Sequence, residues 1–566
     1  VQDCGFTTCE SLSDNALMVF DSAPGRFIQI GKSENVTVID EKDGVDSCYY
    51  VNSRYCDKVL SEIADFLSMK GVEQTFDFAE SRKIMIRVSD YILAEVKKLL
   101  AEMDTQLLLT NLLELHHAMI YWSKLTQQRY ESLSKAYSFL DATFDNQLDY
   151  VNEYSEMNTL TQGMIETIVL NGIHNTEGKL GLEKLDRLFA LIHFGLNMGV
   201  YIDQLDEKIK GSELTILKNG RLVMPRPVID KLNAYFYRLR ELSMSNPDLY
   251  TKLHNLIPTS SIDINDDTFV KAYKAQFGIS FEKYCKILTA SIDYANDNNK
   301  PVMVLPEEKF FEKVCAGIFD EEEAKVFMAN FVLTKDLNNG DLKFSDRWVQ
   351  RFNRPVQVTA RPWILFDGNI YYSTKTLYES WMIRVERLNN GTVVNTTQEM
   401  QAFVSKVNNK KGHEFTLNLK RLYESLSLDY LYVGADVEIM PGKPLNSTKQ
   451  FGDIDILLIN KKTKQIICIE AKNFSESRTV YELIQQNRKI VTKELSHVID
   501  RDVWCKDNVD KFKFYVPEVD AQYSVKTIFL TYHENAYKYF EHDQVNDITF
   551  LSAIDIVGDP MIVFVS

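Results

Sequence analysis

Asp453, Asp455, Glu470 and Lys472 stand at the ends of two short apolar runs, 454–459 and 466–469. The runs are rich in Ile and Leu. The polar turn Lys461, Lys462, Thr463, Lys464 separates them, so they read as the two strands of a hairpin. Strand residues alternate between faces, so Glu470 and Lys472, two apart, share one face. Asp455, at the start of the neighbouring strand, can share it too. A surface cluster of ion pairs would be worth little, and the continuous apolar strand beside these charges argues against one. Charges placed against an apolar strand are costly unless they are paired or bind a cation. Two carboxylates beside an ammonium suit Mg²⁺ (or Mn²⁺), a hard cation that takes oxygen ligands and keeps several waters. With a phosphate alongside, the cation lowers the pKa of a water and the ammonium offsets charge growing on the phosphorus oxygens. The chemistry within reach of this set is phosphodiester hydrolysis.

At these residues the chain resembles the PD-(D/E)XK nuclease superfamily. Gly452-Asp453-Ile454-Asp455 matches the first half of the motif, with glycine where the family name has proline, and Glu470-Ala471-Lys472 matches the second. The run looks closest to the nuclease-related-domain (NERD) and Mrr-like branches, in which an upstream helix adds a glutamate. Glu414, in Lys411-Gly412-His413-Glu414-Phe415, stands at that place. The resemblance implies Asp455, Glu470 and Lys472 as catalytic residues, and Asp455, Glu470 and Glu414 as ligands of Mg²⁺ or Mn²⁺. It also implies that a glutamine such as Gln485 or Gln486, on the following helix, meets the substrate. Read from the residues alone, Glu414 could equally answer a helix dipole as an N-terminal carboxylate. Asp453 either shares the face of Asp455 or caps the turn. Lys489, four residues before Lys493 and next to Arg488, could track a phosphate backbone or simply be solvated.

The elements that must position these residues follow in a readable order. A helix at 414–426 places Phe415, Leu419, Leu422 and Leu426 along one face. A strand at 430–440, a polar loop at 441–450, the hairpin, a helix at 481–498, and strands at 525–531 and 548–551 come after it. Helix, three strands, helix, strand is the core order of the superfamily that the motif resembles.

Before this domain the patterns change twice. With 566 residues the chain is long enough for three or four domains. Residues 1–56 read as a small β region, with strands at 27–30, 36–39 and 49–51. Residues 57–345 read as a large all-α region, because apolar residues recur at three and four. Residues 346–398 read as a connector: a hairpin about Asp367-Gly368-Asn369 and then a helix at 375–387. Residues 399–566 are the α/β restriction-endonuclease-like domain. The fold class is multidomain α+β.

Apolar content of 45% and charged content of 25% are those of an ordinary globular protein. No apolar run approaches the ~18–20 residues that span a bilayer, so no membrane association is expected. Eight cysteines are too few for a disulfide scaffold and point to a reduced, cytoplasmic setting. Cys4, Cys9, Cys48 and Cys56 lack the paired spacing of common zinc sites. The chain opens on Val1 without a leader and reads as a piece of something longer.

The net charge of −16 argues against a surface that coats nucleic acid. Residues 399–566 hold 21 Lys and Arg against 24 Asp and Glu, a net of −3, so the first 398 residues carry −13 of the total. His116 and His117, inside an apolar helix without an HExxH pattern, read as core histidines. The Gly-Lys ending at Lys179 has the wrong spacing for a phosphate-binding loop.

The expectation is a Mg²⁺-dependent endonuclease acting on DNA rather than RNA, in bacterial restriction or phage defence. Its helical region would sense a trigger, regulate, or assemble with a protein partner or a second copy. The rival expectation is a catalytically degenerate nuclease fold that serves as an interaction module on a helical scaffold.

Overall fold

The computed structural model describes residues 6–8, 28–30, 36–39, 53–136, 143–178, 180–245, 247–256, 262–337, 357–477, 479–540 and 548–565. Near the start, β1 (Phe6–Thr8), β2 (Ile28–Ile30) and β3 (Val36–Ile39) form a small antiparallel sheet in the order β1-β3-β2. The strand expected at 49–51 lies outside the described residues, as do Cys4, Cys9 and Cys48.

Five helices follow: α1 (Ser53–Leu67), α2 (Phe78–Ala101), α3 (Thr105–Ala136), α4 (Thr143–Asn171) and α5 (Leu182–Asp206). Their three-and-four spacing becomes a shared core: Val59 and Ile63 of α1, Val88, Ile92 and Val96 of α2, Leu112 of α3, Ile165 of α4, and Phe189 and Ile192 of α5. His116 is fully buried in it, its Nδ1 3.2 Å from Thr161 Oγ1. Burial, and then His117, lower the His116 pKa to about 3. Residues Glu183–Asp206 are long and apolar enough to cross a membrane, which an uninterrupted-run count had not flagged. Most of that window (72%) is buried inside the fold, as a core helix is. The short strands β4 (Gln74–Thr75), β5 (Thr215–Ile216) and β6 (Leu222–Val223) close this unit.

Two further helices, α6 (Pro227–Ser245) and α7 (Pro247–Asn255), turn their Val228, Leu232, Tyr235 and Leu253 into the core of the C-terminal sheet instead. Tyr532 donates its hydroxyl to the Leu253 carbonyl at 3.3 Å. The next unit holds α8 (Asp267–Phe277), α9 (Phe281–Asp297), β7 (Val302–Pro306), α10 (Glu307–Lys313), α11 (Glu321–Phe331), β8 (Val332–Leu333), β9 (Trp363–Phe366), β10 (Asn369–Ser373) and α12 (Thr374–Asn390). Its sheet runs β7-β10-β9-β8. Here the sequence reading needs correction: 57–345 is not wholly helical, and a boundary at 345 divides this sheet. The run 302–305 is four residues long, too short to show a period, and helices flank it. The Asp367-Gly368 hairpin forms as expected, with φ of 48° and 70° at its two residues. The core is aromatic: Phe269, Tyr273, Tyr284, Phe327, Phe331 and Trp363.

The C-terminal domain begins with α13 (Gln398–Glu424). This helix starts well before the expected position of 414, so Glu414 lies in its interior and the helix-dipole reading of that residue falls. Its first half adds Met400, Phe403 and Val404 to the aromatic core, and its second half adds Phe415, Leu419 and Tyr423 to the sheet core. Strands β11 (Leu431–Ile439), β12 (Gly452–Asn460), β13 (Gln465–Lys472), β14 (Ser524–Thr531) and β15 (Ile548–Ser552) stand in that order. The first three are antiparallel, and the last two join β13 in parallel. Between β13 and β14 run α14 (Val480–Lys489), a π-turn at Ile490–Glu494, and α15 (Leu495–Asp507). This helical path passes the expected end at 498.

Candidate functional site

The hairpin is set by local chemistry. Asn460 Oδ1 accepts the Lys462 and Thr463 N–H groups at 3.0 and 3.1 Å and so closes the turn. From there the ladder pairs Asn460 with Gln465 and runs to Ile456 with Ile469. One step further, the register sets Asp455 opposite Glu470. The ladder is replaced at that step by a side chain: Asp455 Oδ2 accepts the Ala471 N–H at 2.7 Å.

Strand alternation then sorts the faces. Ile456, Leu458, Ile467 and Ile469 enter the core that holds Phe415 and Leu419 of α13. Leu457, Ile459, Ile466 and Cys468 enter a second core with Trp504 and Cys505 of α15. At Asp455 the alternation of β12 breaks, since Ile454 enters the second core as well; Glu470 and Lys472 continue the second set and project towards α15.

Helix α15 answers them. Arg501 donates from one terminal nitrogen to Glu470 Oε2, in contact. Lys472 Nζ lies 2.5 Å from the other oxygen, Glu470 Oε1, and 3.8 Å from Glu494 at the end of the π-turn. Glu470 is 8% exposed and Arg501 6%. Burial, and then the charge of Glu470, push the Asp455 carboxyl up to about 7, against the pull of Lys472 and the Ala471 N–H. Burial pulls the Lys472 ammonium down, but Glu470, Asp455 and Glu494 together outweigh it and its pKa rises.

One carboxylate oxygen from each of Asp436, Asp453 and Asp455 lies within 4.8 Å of the others. Asp436 stands opposite Asp455 across β11 and β12, between the pairs Ala435–Ile456 and Val437–Ile454. Its φ of 52° is in the left-handed region, which aspartate tolerates better than most residues. The donor set fits a hard divalent cation: it is all carboxylate oxygen, and it carries like charges in close quarters.

The remaining expected residues make contacts of their own. Glu414 is not part of that three-carboxylate group; its Oε1 lies 3.8 Å from Lys410, one turn back, and its Oε2 is buried without a hydrogen-bond partner. Gln486 is buried, and its Nε2 donates to the Ser475 carbonyl at 3.2 Å, while Gln485 is exposed. Lys489 sits 4.8 Å over the Phe474 ring. Burial lowers its pKa, with Glu494 opposing and Lys493 and Lys472 reinforcing. Arg488 pairs with Glu207. Three residues at the centre escaped the sequence reading: Asp436, Glu494 and Arg501. The last two had a signal, since Glu494, Val498, Arg501 and Cys505 are spaced as one helical stripe.

No curated protein and no solved structure matches the chain. A family model described as "Anti-phage protein Upx-like" matches residues 202–510, more than half of the chain, and takes in Glu414, Asp436, Asp455, Glu470, Lys472 and Arg501. The chain therefore belongs to the Upx-like family of anti-phage proteins, and its role is in phage defence.

Proposed function

We propose that the C-terminal domain is a Mg²⁺-dependent nuclease of the PD-(D/E)XK kind that hydrolyses phosphodiester bonds of DNA as the effector step of phage defence. The observation that supports this best is the meeting of Asp455 and Glu470 across two adjacent strands, with Lys472 on the same face. Asp455, held by the Ala471 N–H, and Glu470, held by Arg501, would be the two fixed ligands, with Asp453 or Asp436 near enough to add an oxygen. A bound Mg²⁺ supplies Lewis-acid stabilisation of the phosphate and a water of lowered pKa. Lys472 keeps its positive charge beside the phosphate and offsets the charge that grows on its oxygens. The helical units then regulate or assemble the protein.

The test is cleavage of plasmid and single-stranded DNA with Mg²⁺, comparing the protein with Asp455→Ala and Lys472→Ala. Equal activity in all three, or none in any, removes the reading.

One observation favours a second reading. Both oxygens of Glu470 are already held by cations, Lys472 and Arg501, as in a structural ion-pair network. On that reading the domain is an interaction module in a nuclease fold. Titration with Mn²⁺ separates the two: a working site binds the ion and Glu470→Gln abolishes the binding.

A further inference from the structure

Arg501 has no place in the motif that Asp455, Glu470 and Lys472 resemble, yet it is the most deeply enclosed cation at the centre. Its side chain is 8% exposed, whereas that of Lys472 is 27% exposed. It reaches the sheet from the helical stripe formed by Glu494, Val498, Arg501 and Cys505. One terminal nitrogen holds Glu470 Oε2. The other lies against Gly452, 3.6 Å from where a Cβ would stand. The guanidinium is thus wedged between the end of β13 and the residue before Asp453.

The two cations on Glu470 are not equivalent. Lys472 is a compact charge on a flexible stem, paired with Glu470 and Glu494. Arg501 is a planar fork whose geometry is fixed by its own shape and by its surroundings. A carboxylate with one oxygen tethered to a helix keeps a single orientation, and its second oxygen then faces Lys472.

We infer that Arg501 is a positioning residue that orients the Glu470 carboxylate for the reaction of the proposed nuclease, on which reading this inference rests. It acts through Glu470 and touches neither substrate nor cation. Two consequences distinguish it from a merely structural arginine. Removing its charge makes the centre more negative while loosening one ligand, effects of opposite sign, so cation affinity changes little. Losing the orientation of Glu470 lowers the rate at saturating DNA.

The experiment uses the full chain with Arg501→Lys and Arg501→Met. It measures Mn²⁺ affinity by calorimetry, melting temperature, and kcat and KM for nicking supercoiled plasmid with Mg²⁺. For Arg501→Met the expected result is an Mn²⁺ affinity within about threefold of that of the unmodified protein, an unchanged KM, and a kcat lower by about 10- to 100-fold. Arg501→Lys, which keeps the charge and loses the fork, falls between the two. If Arg501→Met fails to fold, Arg501→Lys alone must show the lowered kcat with Mn²⁺ affinity intact. A kcat unchanged in the folded variants overturns the inference, as does a kcat that falls only in step with Mn²⁺ affinity and folded fraction. An unmodified protein that cleaves neither plasmid nor single-stranded DNA removes the nuclease reading first, and this inference with it.

Discussion

Replacing Lys472 by Met separates the chemistry of the centre from its stability. Methionine keeps most of the apolar stem and its volume and deletes the charge. Lys472 is 27% exposed and bridges Glu470 at 2.5 Å and Glu494 at 3.8 Å. Breaking a fully buried ion pair costs about 3–5 kcal/mol, because one charge is left unpaired. Here Glu470 retains Arg501 and the lost pair is partly in water. A cost of about 1–2 kcal/mol follows from setting the buried figure against the 0–1 kcal/mol of surface pairs. A protein with about 5–15 kcal/mol of stability stays folded after such a loss. The rate is another matter. Removing one group aimed at developing charge costs about 10²–10³-fold, or roughly 3–4 kcal/mol. The expected result is therefore a small fall in melting temperature and a collapse of Mg²⁺-dependent plasmid nicking, with Mn²⁺ binding retained. The assay is single-turnover nicking at 25 °C beside a thermal melt of the same sample. Nicking within about threefold of the unmodified protein refutes the reasoning, since that is about 0.7 kcal/mol and no group doing this work is worth so little.

Other outcomes are equally direct. Mn²⁺ at about 100 times its Kd adds about 2.7 kcal/mol of stability by mass action, a rise in melting temperature that Asp455→Asn abolishes; a rise that survives in the variant places the ion elsewhere. Asp186, buried on α5 with its Oδ1 lacking a hydrogen-bond partner, has a carboxyl pushed up to about 7 by burial. Because its folded pKa lies above the unfolded value near 4, stability is fully present below pH ~4 and is lost as pH rises towards 7, by at most about 4 kcal/mol. Denaturant melts at pH 4 and pH 8 check this: the pH 8 deficit shrinks in Asp186→Asn, and an unchanged slope rules the account out. Phe415→Ala empties a fully buried position under the sheet and costs about 3–5 kcal/mol in denaturant unfolding; a loss under 1 kcal/mol means that α13 does not anchor there.

The centre was legible where chemistry and alternation coincide. Glu470 and Lys472 lie two apart on one strand, so their common face can be worked out from spacing, and the hairpin register sets Asp455 opposite Glu470. Asp436 was hidden because β11 reads as a plain strand, and nothing local announces a left-handed residue facing Asp455. Arg501 lies beyond the helix that the pattern gives, 481–498, whereas Glu494 lies inside it as one charge among several on a polar face. The strands β7 and β8 were lost among helices for want of length. Helix α13 starts earlier than the pattern shows, since Gln398 to Lys411 is polar on most sides and packs little beyond Met400, Phe403, Val404 and Val407. The register that sets Asp455 opposite Glu470 is a property of the backbone. The stripe puts Arg501 on one face of its helix, but its meeting with Glu470 depends on tertiary approach.

Helix α13 runs for 27 residues, a rod of about 40 Å. Gln276 grips its start through the Thr396 and Thr397 amides, and its far half is fixed under the sheet by Phe415 and Leu419. A rod seated in two separate bearings cannot turn in one without turning in the other. The aromatic cluster around Phe403 and the stretch where His413 lies 4.0 Å from Asp436, at the rim of the acidic centre, are thus joined by one continuous helix.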